Sequence, residues 1–99
     1  MFFLQYRTTG LPDRPDITAR YGGAIVSCWV ERPTSGDAEV VAKEMIASKG
    51  WQVVESLEIN QLSDGDHGMS ENARQYYEQA LLDKEVLVFF VYPPGETRT

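Results

Sequence analysis

The chain carries one histidine, His67, set in a short acidic run with Asp64 and Asp66 and followed four residues later by Glu71. Three carboxylates and an imidazole at this spacing could hold a divalent cation. The run opens like a calcium loop. Such a loop also needs glycine at its sixth position and glutamate at its twelfth, and counting from Asp64 those places hold Met69 and Gln75. A solvated turn is the simpler account of the same residues. The only thiol, Cys28, stands in phase with Ala24, Val26 and Val30, so its side chain is expected in the core. Reactive thiols need an accessible, electropositive setting instead. Arg7, Arg14 and Arg20 could clamp an anion, although Asp13 and Asp16 lie among them and offer local charge cancellation. Glu55 interrupts an otherwise apolar alternation. It marks either a bulge, a strand leaving the core, or a buried carboxylate for which no partner base is identifiable.

These residues make poor enzyme machinery. Nucleophilic catalysis through Ser or Cys would have to use His67, and a glycine-flanked loop holds a base loosely. Gly22-Gly23 precedes a strand rather than a helix, so it is no phosphate cradle, and no Gly-Lys-Ser/Thr occurs. No catalytic residue is assigned and no cofactor is expected; an enzyme ranks third, behind an interaction module and a ligand-binding regulatory domain.

The whole chain sets further limits. It has 99 residues, enough for one domain, and 42% of them are apolar, enough for one core. Nine basic against fifteen acidic residues give a net charge of -6, which disfavours nucleic acid and acidic membrane surfaces as partners. A lone cysteine and an N-terminus without a basic leader point to a soluble, cytoplasmic protein. The longest apolar run, Val86 to Tyr92, is too short to span a bilayer.

Periodicity then places the elements. Met1 to Arg7 reads as a strand, with Phe2, Leu4 and Tyr6 on one side and Phe3, Gln5 and Arg7 on the other. Thr8 to Gly23 is too rich in proline, glycine and alternating charge for regular structure and is expected as a long loop. Ala24 to Glu31 is a second strand, with Ile25 and Trp29 on its mixed face. Thr34, Ser35 and Asp37 offer caps for a helix whose apolar stripe is Ala38, Val41, Ala42, Met45 and Ile46, stopped at Lys49-Gly50. Trp51 to Leu62 is a third strand. Ser70 caps a second helix carrying Ala73, Tyr76, Tyr77, Ala80 and Leu81, and Val86 to Tyr92 is the last strand. Residues 1–93 form one α+β domain, and 94–99 are expected to be a disordered tail. Short exits from both helices predict parallel flanking strands. The expected product is a two-layer, ferredoxin-like sandwich in the order β-β-α-β-α-β, a four-stranded mixed sheet with both helices on one face.

Three segments, "YGGAIVSCWV" (21–30), "KGWQVV" (49–54) and "YYEQALLDKEVLVFFVYP" (76–93), resemble a group of small bacterial proteins of about this length, for which no activity is known. The resemblance implies a compact ferredoxin-like α+β fold. It carries over no functional residue.

The last strand gives the strongest hint of function. Val86 to Tyr92 is apolar on both parities, and a strand with one buried face should alternate. Either the strand is central, or its second face is covered by another chain, by the Thr8–Gly23 loop or by the C-terminal tail folded back. The reading is an interaction module that self-associates through an open sheet face, as a homodimer or with another protein. Its candidate surface is Ile25, Trp29, Leu87, Phe89 and Val91. The alternative is a regulatory domain binding a small molecule or metal at the 8–23 loop or the 63–71 loop.

Overall fold

The computed structural model describes residues 1–62 and 70–93. Four strands and three helices follow one another: β1 (Phe2–Gly10), α1 (Pro15–Thr18), β2 (Gly23–Val30), α2 (Ser35–Ser48), β3 (Trp51–Gln61), α3 (Glu71–Asp83) and β4 (Glu85–Tyr92). The sheet order is β3-β1-β2-β4, and every neighbouring pair is antiparallel.

This overturns the expected ferredoxin-like mixed sheet with both helices on one face, though the architecture remains α+β. The reason lies in where the helices carry the chain. β2 and β3 do run parallel, since both oppose β1, but β1 lies between them, so no parallel pair forms. β3 ends beside Phe2, and β4 starts beside Val30, itself paired with Phe2. Both ends of the second connection therefore sit at the same end of the sheet. Four strands about 4.8 Å apart put the outer two about 14 Å from each other. The 13 residues of α3 span about 20 Å, enough to bridge that width.

α2 and α3 pack on opposite faces of the sheet. Ala38, Ala42 and Ile46 of α2 join Leu4, Tyr6, Val26, Cys28 and Val30 in the larger core. Two alanines let the helix approach closely and leave room for the Tyr6 ring. On the other face Ala80 of α3 joins Met1 and Trp29, flanked by Phe3, Tyr76, Tyr77, Val86 and Val88. The Trp29 ring meets that of Phe3 edge-on at 5.0 Å and lies tilted 4.9 Å from that of Tyr76. All of these strand residues lie toward the Phe2 end, so α3 covers only part of its face.

The long connection is shorter and better ordered than expected. β1 runs on to Gly10, and the Thr8 hydroxyl donates to the Ala24 carbonyl at 3.0 Å. Pro15 opens α1, and Ile17, 7% exposed, plugs the open end of the larger core. Tyr21 lies 6.0 Å from Trp51 across the same end.

In β3 the register against β1 shifts twice, leaving Val54 and Leu57 without partners. The first bulge throws Glu55 onto the α3 face, and the second restores Ile59 to the α2 face. This is the break in parity seen at Glu55 in the sequence. The helix caps also follow the sequence: Thr34 accepts from the Asp37 N–H at 3.1 Å and Ser70 from the Ala73 N–H at 3.2 Å.

Candidate functional site: the β4 edge and its flanking cleft

β4 is an outer strand of the sheet, eight residues long, paired to β2 without any register shift. Its only charged residue is Glu85, at its first position, held by Arg32 at 3.0 Å. Leu87, Phe89 and Val91 pair with Cys28, Val26 and Ala24 and so share the α2 face. Val86, Val88 and Phe90 share the α3 face with Trp29, Ser27 and Ile25. Phe90 is 56% exposed and Val91 46%. Phe90 and Val91 are therefore bare on opposite sides of the strand, while Tyr92 beyond them is buried against Gly23.

The five residues expected to form one interface are thus divided. Ile25 and Trp29 lie on one face, Leu87, Phe89 and Val91 on the other. Trp29 is buried beneath α3 and presents no surface. The sheet face expected to be open is half covered, because α3 packs there rather than beside α2. Sequence reasoning missed Phe90, the most exposed side chain of the strand, because parity alone does not say which end a helix covers.

On the α2 face a cleft of about 450 Å³ opens between α2 and β4, lined by Met45, Lys49, Trp51, Leu87 and Phe89. Trp51 starts in the opposite edge strand. Its register partner is Gly10, which has no side chain, and its ring lies 6.0 Å from that of Phe89.

The remaining candidates do not converge. Arg7 pairs with Glu55 at 2.8 Å on the α3 face, so Glu55, half exposed, is a surface partner and not a buried catalytic carboxylate. Arg14 donates through Nε and Nη2 to Asp16 at 3.1 and 3.0 Å, and this bond lowers the Asp16 carboxyl below its usual range. Arg20 is exposed after α1. Asp64, Asp66 and His67 lie outside the described residues, as does the tail from residue 94, and Glu71 is exposed at the start of α3. Among the described residues no group of three metal-ligating side chains forms. Cys28 is fully buried, and burial pushes its thiol up to about 12, the setting of an inert cysteine. Among the described residues no helix is long and apolar enough to cross a membrane.

No protein-family model matches the chain, and neither does any curated protein or solved structure.

Proposed function

We propose that the protein is a non-enzymatic interaction module that self-associates by pairing the free edge of β4 with β4 of a second copy. The supporting observation is the contrast between the two sheet edges. β3 carries Glu55 and Glu58 and two bulges, the devices by which natural sheets discourage edge pairing. β4 has none of them along seven residues from Val86 to Tyr92. A flat, apolar, unbroken edge is a template for another strand.

A two-fold antiparallel pair centred on Phe89 sets Leu87 opposite Val91, and Val88 opposite Phe90, of the second copy. Glu85 then falls beyond the apolar pairs, opposite Pro93. The register also suits the uneven cover of the α3 face. The end that α3 covers in one copy meets the bare Phe90 end of the other, so each fills what the other leaves open. The contact is at the small end of specific interfaces, on the order of 1,000 Å², so a reversible dimer in the micromolar range is expected.

Sedimentation across a hundredfold range of concentration tests this. The wild type should move from monomer to dimer, and Phe90→Lys should remain monomeric with an unchanged circular dichroism spectrum, because Phe90 is already more than half exposed. A wild type that stays monomeric to about 0.5 mM, or a Phe90→Lys variant that dimerises equally well, refutes the proposal.

A further inference from the structure

We infer that the cleft between α2 and β4 is a binding site for a small aromatic carboxylate. Its volume, about 450 Å³, is that of a small-molecule pocket. Three different elements supply its walls: Met45 and Lys49 come from the end of α2 and its cap, Trp51 from the start of β3, and Leu87 and Phe89 from β4. Trp51 is only 6% exposed and is held between Tyr21 and Phe89, each 6.0 Å away ring to ring. The two cleft rings are inclined by 43°; half-buried Phe89 offers the ring surface against which a flat ring can pack, with buried Trp51 behind it.

Charge selects the other half of the ligand. Lys49 is the one charged residue among the lining, and among the described residues no carboxylate lies within 4 Å of it. The rim therefore offers the Lys49 ammonium for an anion, beside apolar and aromatic side chains that take an apolar body. A monocarboxylate on an aromatic ring matches both.

The cleft shares Leu87 and Phe89 with the proposed β4 pairing but does not require it. Phe90 faces the other side of the sheet, so the monomeric Phe90→Lys protein retains the cleft and is the sample of choice. The two tryptophans lie on opposite faces, and their indole N–H signals in a nitrogen-15 correlation spectrum report separately. Titration with 2-naphthoate should shift the Trp51 signal saturably, with half-effect at about 0.1–1 mM, and leave that of Trp29 in place. The neutral 2-naphthamide and the Lys49→Met variant should each weaken binding by about three- to tenfold. No saturable shift of Trp51 up to about 5 mM overturns the inference. So does an equal response of both indoles, or equal affinity for acid and amide.

Discussion

The Tyr6 hydroxyl provides the sharpest test of the packing. Tyr6 is completely buried under α2, and its hydroxyl has no hydrogen-bond partner. Burial, then the nearby Glu39 carboxylate, drives its ionisation well above the usual phenol range. A buried hydroxyl left unpaired costs about 1–3 kcal/mol. Tyr6→Phe removes that cost and keeps the ring. The lost oxygen leaves a void on the order of 10 Å³, which at about 24 cal/mol per Å³ returns only about 0.3 kcal/mol. Lys43 stands 6.0 Å over the ring, at the limit of cation–π range, and loses little. The net expectation is a gain of about 1 kcal/mol or more. For a domain of this size that raises Tm by about 4–8 °C per kcal/mol. Urea unfolding at low protein concentration should show a higher midpoint with an unchanged slope. If Tyr6→Phe instead loses about 0.5 kcal/mol or more, the hydroxyl has a partner and the packing argument fails.

Two further substitutions probe the same core. Gly50 has φ 91, and a Cβ there would meet Arg14 Nη1 at 2.5 Å and Ile17 Cδ1 at 2.7 Å, so Gly50→Ala should cost about 1–3 kcal/mol in thermal melts and free Tyr21 from Trp51. An unchanged Tm would mean the 8–23 connection is not docked as described. Burial raises the Cys28 thiol from its ordinary value of 9.0 to about 12. The stability this represents is intact below about pH 9 and falls as pH rises toward 12, by up to about 4 kcal/mol. Cys28→Ala should flatten that alkaline decline, and the native thiol should resist disulfide reagents at pH 8 until denaturant is added. Rapid native labelling would contradict the burial.

What could be read from the sequence was local. The stripe Ala38, Ala42, Ile46 and the caps at Thr34 and Ser70 follow from spacing within a few residues, and each forms as expected. The parity break at Glu55 allowed a bulge, a strand leaving the core or a buried carboxylate, and β3 has two bulges. Ile17 stood as a lone apolar residue behind Pro15, a faint sign of α1 that the surrounding charges concealed. Strand order and the faces chosen by the helices were not legible, because they depend on where a helix ends relative to strands far away in the chain. Phe3 and Trp29 were the available clue. Two large aromatics on the second face of adjacent strands need cover of their own, and α3 provides it.

That cover explains why β4 is apolar on both sides although it is an edge strand. Two apolar faces are the mark of a strand with layers above and below. Here the layers come from different places: α3 reaches Val86 and Val88, while Leu87 and Phe89 border the core under α2 and Trp51. Neither layer extends to Phe90 or Val91, yet the sequence stays apolar there. Folding of the single chain accounts for Val86 to Phe89 and for buried Tyr92, but not for Phe90 and Val91. Were the far end merely solvated, a lysine or glutamate at Phe90 would cost the fold nothing and would guard the edge, as Glu55 and Glu58 do in β3. Its absence is what a further layer of contact requires. The Phe90→Lys protein separates the two demands, since only self-association should notice the change.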